Sequence, residues 1–552
     1  MAKYRFQELS SSRLDNGFPH WGEPDLSSEE VRSRLTALQS TGAASVQSPG
    51  MSAEGREICS VTMGTGTRRV LLWARMHGDE PTHTVVMLEL FRFLAESQSP
   101  AAKDILSNCT LRLIPVLNPD GAALGSRRNA QSIDINRDAR QCRTPEGAIL
   151  RKEVLEWKPE FAFNLHNHNP RRTIASTGKL AAVALLAPPM PPDQTDAPNL
   201  QLAKRLGSAF CESVASQCPN MMWRYAADYM PRAFGEWVQS QGVATLLVEA
   251  GGWPGPDKRD LLNVHLTGML GALASIATGE VDSLTTDAYE SLPQGAGYER
   301  YDCIIRNTVV QIPRGDSFTA DLGINVEHTG LRSAGSQGTI VDVGDLSVHD
   351  CDCEVDAGGM VCSRGLHSIQ PDISPTCLPD DRKSEAMLRQ GVTTVVGIVS
   401  LADLRGDEYV ANWRILNDEK NRYLLNVEFA LAYEESATVE DFVLAASLGI
   451  VAICTTGKDA IDASTEGVLR TLGLARVRKH STETDGEQVQ CPKEEAATMQ
   501  IKGFPIGMTA NLVLKRDGED EAKIVLVNGQ MAFEHGKLTS CRAGRLTGIR
   551  EG

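Results

Sequence analysis

The chain has 552 residues, of which 55 are basic and 71 acidic, for a net charge of −16 at neutral pH. At about 100–200 residues per domain this length implies two to four domains and excludes a single small binding module. An acidic chain with no basic run is a poor ligand for nucleic acid, and 41% apolar with 23% charged residues is a globular composition rather than a disordered or collagenous one.

The opening MAKYRFQELSSSRLDNG has no apolar run, and the apolar stretch Leu180–Ala187 falls well short of the roughly 20 residues needed to span a bilayer. No export or membrane anchoring is expected. Thirteen cysteines, an odd number scattered over a long chain, suit a reducing compartment, so a cytoplasmic protein is expected.

In chain order, Val70–Met76, Thr110–Leu117, Phe161–Leu165 and Val243–Val248 read as buried strands, with helical patterns over Val85–Glu96 and Asn199–Gln217 between them. Short apolar runs separated by helices predict an α/β fold with a mixed, mostly parallel sheet and helices on both faces. Chemistry then belongs in loops at the carboxyl ends of the strands. Residues 1–285 are read as this domain and 286–300 as a linker. Residues 301–552 are read as a β-rich module, 301–370 and 503–552, carrying a shortened α/β insert, 371–502. The polar interval Ser481–Ala496 is expected to be an exposed loop.

Directly after the first strand stands His77-Gly-Asp-Glu80, and His166 follows the strand ending at Leu165. Two imidazoles and a carboxylate form a ligand set that can hold a catalytic zinc and leave a fourth position open. Asn118-Pro-Asp-Gly121, Arg127-Arg-Asn-Ala130 and Asp134-Ile-Asn136-Arg137 come next, and VATLLV delivers Glu249. With the lead-in Gly50-Met-Ser-Ala-Glu-Gly-Arg56, this ordered set over about the first 280 residues resembles the zinc carboxypeptidases of the M14 metallopeptidase family.

The resemblance implies one Zn2+ per chain, held by His77, Glu80 and His166, with Asp134 fixing the tautomer of His77. It implies Glu249 as the general base and Arg127, preferred over Arg128, as the oxyanion donor. Asn136 and Arg137 would hold a substrate carboxylate. A tyrosine closing over substrate is assigned to Tyr229, twenty residues before Glu249, with Tyr225 as the competitor. His83, His168 and His265 read either as residues supporting the ligands from behind or as ordinary polar residues, and Phe234, Glu236 and Trp237 as candidates for the side-chain pocket.

In the second half, Asp302–Asn307, Ala320–Ile324 and Val355–Val361, with Thr509–Leu514 and Val525–Gly529 near the end, resemble the β-module of the amidohydrolase superfamily. Gln370 and Asp372 stand where that superfamily has a metal-binding His-x-His pair, and Ser374–Ile501 has only 128 residues, against about 200 or more for a full barrel. A silent domain is implied. Cys351-x-Cys353 and Lys458-Asp459 read as strand and turn residues rather than sites.

The expected function is therefore zinc-dependent hydrolysis of an amide bond in a small peptide or peptide-like metabolite with a free carboxylate. Hydrolysis of an N-acyl amino acid by the same chemistry is the alternative, and a noncatalytic assembly protein the third reading. Neither nucleic acid nor a membrane is expected as a partner.

Overall fold

Arg300 is the last residue of one unit of the chain and Tyr301 opens another. The computed structural model describes residues 26–310 except 193, 195–196 and 255–258, then 317–326 and 338–370 except 358–359 and 365. Beyond these it describes 384, 387–388 and the later strands named below.

In the first unit the elements in chain order are α1 (Ser28–Ser40), β1 (Ser45–Met51), β2 (Glu57–Met63), β3 (Arg68–Ala74), α2 (Thr82–Glu96), α3 (Pro100–Asn108), β4 (Cys109–Ile114) and α4 (Pro119–Ala123). They continue as α5 (Pro145–Lys152), β5 (Phe161–Asn167), β6 (Val183–Leu186), α6 (Pro198–Val214), β7 (Met222–Arg224), α7 (Phe234–Ser240), β8 (Ala244–Ala250), α8 (Arg259–Thr278) and α9 (Asp287–Glu290). Local chemistry sets several boundaries. Ser27 caps α1 in a reciprocal box with Glu30, and Ser99 caps α3 just before Pro100 at the first helical turn.

The eight strands run in the order β1-β2-β4-β3-β5-β8-β6-β7. The central block β4-β3-β5-β8 is parallel, as the continuous apolar runs of these strands predict. Strand alternation separates two cores. Val70, Leu72, Ala74, Phe161, Phe163, Leu165, Ala244, Leu246 and Val248 join one cluster with residues of α2, α3, α6 and α8. Leu71, Trp73 and Ala162 face the other side, against Ile135, Phe234 and Trp237.

Helix α8 has no counterpart among the predicted elements, and its 20 residues have the length and hydropathy to cross a bilayer. It is instead mostly buried against the first core, where a helix apolar on most of its circumference belongs. The interval 286–300, expected to be a linker, is packed onto the first unit. Tyr289 is buried and its hydroxyl accepts the Ala187 N–H, while Thr173 donates to the Tyr298 carbonyl. A single well-placed tyrosine outweighs the low apolar periodicity of the segment.

In the second unit β9 (Tyr301–Val310), β10 (Phe318–Val326), β11 (Gly338–Gly344), β12 (Cys351–Asp356) and β13 (Met360–Arg364) join β19 (Leu512–Arg516), β20 (Ile524–Val527), β21 (Gln530–Glu534) and β22 (Lys537–Leu538) in one sheet. Antiparallel pairing of β13 with β19 joins residues 148–156 positions apart. A second, wholly parallel sheet contains β14 (Leu366–Gln370), β15 (Val392–Val399), β16 (Asn426–Ala432), β17 (Ala452–Thr456) and β18 (Ala475–Lys479). Residues 366–370, read as the end of the β-module, thus belong to the parallel sheet of the insert. Asp372, Lys458, Asp459 and 481–496 lie outside the described residues.

Candidate metal centre

The loop after β3 is built for a sharp exit. Arg75 adopts φ 51°, an uncommon conformation for a residue with a side chain. Its buried guanidinium donates to the carbonyls of Gly78 and Leu26 at 2.9 Å each. A Cβ on Gly78 would lie 1.9 Å from the Gly121 carbonyl carbon, so the loop and the Asn-Pro-Asp-Gly turn touch backbone to backbone. Asn118 caps that turn through the Gly121 N–H and donates to the Met76 carbonyl. Sealed from solvent, Asp120 accepts from Ser52 Oγ at 2.7 Å, the Glu54 N–H at 3.0 Å and Arg56 at 2.7 Å. The lead-in Gly50–Arg56 and the Asn118–Gly121 turn are therefore two halves of one brace behind the site.

In front of this brace His77, Glu80 and His166 are all buried, with one potential ligand atom from each within 4.8 Å of the others. Glu80 presents Oε1 to His77 Nδ1 at 2.7 Å and Oε2 to His166 Nδ1 at 2.8 Å. On its far side His77 Nε2 lies 3.2 Å from Asp134 Oδ1. A carboxylate only accepts, so Nε2 carries a proton and Nδ1 points inward.

At His77 Nδ1 two neighbours compete. Arg127 Nη1, a donor, stands 3.1 Å from His77 Nδ1 and requires a lone pair there, whereas Glu80 at the same nitrogen requires a proton. His166 Nε2 is sealed and has no partner among the described residues. A divalent ion among two imidazole nitrogens and a carboxylate would accept from all three at once, and the donor set suits zinc. The residues fit the group.

Electrostatics agree with a ligand cluster. Burial lowers the His77 imidazole, but hydrogen bonds to Asp134 and Glu80 outweigh it and push it up to about 9. Burial raises the Glu80 carboxyl, yet His166 and His77 hold it well below the usual carboxylate range. Asp134 is likewise raised by burial and pulled down further by His77 and Arg127.

Arg127 also grips Asp134 Oδ2 through Nε and Nη2 at 3.3 and 3.1 Å and remains about half exposed, with 45% of its side chain accessible. Arg128 instead donates to the Ser132 carbonyl. Asn129 fixes this loop by donating to the buried Glu146 at 3.0 Å and accepting from Gln131 and Ile133. Asn136 accepts the Phe234 N–H through Oδ1 at 2.9 Å, and Arg137 lies half-buried over the Asn136 carbonyl. On α7 Phe234, Glu236 and Trp237 are buried, and burial pushes the Glu236 carboxyl up to about 7 against the pull of Arg137.

His166 on β5 and Glu249 on β8 are register partners. Glu249 is raised above its ordinary value by burial, with His166 opposing, Glu80 adding, and Tyr225 and Arg172 opposing. The tyrosine that meets it is Tyr225, whose hydroxyl donates to Oε2 at 2.9 Å. Tyr229, assigned from the sequence to close over substrate, makes no side-chain hydrogen bond among the described residues, so the tyrosine in contact with Glu249 is its competitor. Counting back twenty residues selects a loop position, whereas the side chain on the same sheet face as Glu249 follows immediately after edge strand β7.

Residues 33–169 match the zinc carboxypeptidase family, peptidase M14. The N-terminal region carries a zinc carboxypeptidase domain. Carboxypeptidase SOL1 of Arabidopsis thaliana is 38% identical over 65 residues, 11% of this chain and 13% of that protein. Carboxypeptidase 2 of Trichophyton rubrum is 26% identical over 159 residues, 28% of this chain and 26% of that protein. The chain thus spans under a third of the length of these relatives. A metallo-carboxypeptidase structure from Burkholderia cenocepacia aligns at a TM-score of 0.38 with 24% identity, covering 47% of this chain and 70% of that one.

Four residues, Arg75, Tyr225, His83 and His265, take places that the sequence signals weakly. Arg75 gave no signal as an arginine inside an apolar run. Tyr225 was weighed against Tyr229 and is the one in place. His83 and His265, both fully buried, bond to each other at 3.1 Å, and His265 donates to the Ala182 carbonyl. Their helices give no sequence cue that they meet.

Proposed function

We propose that the protein is a zinc carboxypeptidase that releases the terminal residue of a small peptide or peptide-like metabolite bearing a free carboxylate. The observation that carries this is the convergence of His77, Glu80 and His166 beside Glu249 and Arg127 on one end of the sheet. Zinc bound there supplies Lewis-acid polarisation of the scissile carbonyl and acidifies water.

The chain's own residues do the rest. Asp134 holds the His77 ring, and Arg127, with its guanidinium directed at the cluster, offers donors for negative charge developing on the carbonyl oxygen. Raised by its surroundings, the Glu249 carboxylate takes a proton from water and returns it to the leaving nitrogen. Arg137, with Asn136 fixed by Phe234, takes the terminal carboxylate. Tyr225, rather than Tyr229, orients Glu249.

Incubating zinc-loaded protein with a library of dipeptides and N-acyl amino acids, and reading the released amino acids, tests the proposal. Release from dipeptides supports it, and exclusive release from N-acyl amino acids replaces it with the deacylase reading. A reducing compartment is part of the same reading, supported by Cys59, Cys109, Cys142, Cys211 and Cys218, none of which is joined in a disulfide among the described residues. For the second unit we infer a noncatalytic amidohydrolase-like module; the pairing of β13 with β19 around an inserted parallel sheet supports it.

A further inference from the structure

Beside Glu249, on the β7 side of the sheet, lies a second group of polar residues that the zinc ligands do not use. Arg172 is half-buried, with its guanidinium carbon 5.6 Å from the centre of the Trp223 ring. Its Nη1 donates to the Tyr225 hydroxyl at 3.4 Å, and that hydroxyl donates to Glu249. The Trp223 and Tyr225 rings lie 4.6 Å apart with their planes tilted by 50°, so indole and phenol pack against each other beside the cation.

Two sealed atoms in the same group have no partner among the described residues: Trp223 Nε1 and His168 Nε2. His168 donates from Nδ1 to the Asn169 carbonyl, which leaves its Nε2 a bare lone pair, and its ring stands edge-on to Trp223. The Arg172 guanidinium makes one hydrogen bond, near the limiting length, and its other N–H groups are neither bonded among the described residues nor sealed. A guanidinium held against an indole face, with N–H groups left open, can offer paired donors to an anion.

The strand order β3-β5-β8-β6-β7 sets Arg172 and its platform on the β7 side of Glu249, away from His77, Arg127 and Asp134. We propose that Arg172 receives a carboxylate on the acyl side of the cleaved bond, so that preferred substrates carry two anionic groups, one for Arg137 and one for Arg172. This rests on the carboxypeptidase reading for the role of Arg137. An acidic penultimate residue or a dicarboxylic acyl group meets the requirement.

The test compares peptide pairs that differ only in glutamate or glutamine at the acyl position, with the same leaving residue. In the zinc-loaded full chain the glutamyl peptide is expected to give a kcat/KM at least about tenfold higher, mostly through KM. In Arg172→Gln the ratio falls toward one, and in Arg172→Lys part of it survives. Because each variant is judged by its own ratio, a general loss of activity does not imitate the result. Calorimetric affinities of Glu249→Gln protein for the same pairs give a readout independent of turnover. A missing glutamate preference in binding, or one that persists in Arg172→Gln, overturns the proposal. Lack of hydrolysis with a preserved binding preference instead overturns the carboxypeptidase reading and leaves the anion site standing.

Discussion

His166 and Glu249 are paired in register on adjacent parallel strands, so their side chains leave the same face of the sheet although 83 positions separate them. Each stands one residue before the end of its strand, His166 in β5 and Glu249 in β8, where the candidate ligand and the candidate base face the same space. Their spacing across the sheet is set by backbone hydrogen bonds, which makes it stiff.

Zinc uptake is expected at one equivalent per chain, and His77→Ala or His166→Ala should abolish it. In the metal-free protein the His77 imidazole is raised from 6.5 to about 9. Its stabilisation is therefore fully present below pH 6.5 and is lost as the pH rises through about 9, so the urea midpoint of the metal-free protein should fall over that window. Zinc must also displace this proton, so at neutral pH about one proton is released per ion. Calorimetry in buffers of differing ionisation enthalpy checks this, and zero release would contradict the ligand role of His77.

Glu249→Gln should keep the zinc and lose turnover by a factor of about 10²–10⁴. Full zinc with near-native rates would place the base elsewhere.

Tyr225→Phe removes a donor that holds the Glu249 carboxyl down. Its pKa then rises, and since activity requires the ionised base, the acidic limb of the pH–rate profile should move to higher pH. An unchanged limb would show that the hydroxyl does not act on Glu249.

Arg137→Ala should raise KM for substrates with a free terminal carboxylate by on the order of tenfold or more, while barely affecting their amidated analogues. Equal effects on both would remove the clamp.

Gly78→Ala tests the brace rather than the chemistry. With the new methyl 1.9 Å from a backbone carbon, neither segment can yield cheaply, and a loss of about 3 kcal/mol or more is expected in urea unfolding. A cost under about 1 kcal/mol would mean that the two turns do not touch.

Local patterns in the sequence pointed to the strands of the parallel block, because apolar runs are properties of neighbouring positions, while the candidate ligands and base were named through the resemblance that the ordered motifs carry. Long-range partners were decided by the tertiary structure alone. Whether Arg127 or Arg128 faces the cluster depends on how Asn129 ties the loop to Glu146, and whether Tyr225 or Tyr229 meets Glu249 depends on β7 docking at the sheet edge. The buried His83–His265 contact and the packing of Tyr289 likewise join segments about 100 or more positions apart. Side-chain direction at such meetings is set by packing, which no single stretch of chain encodes.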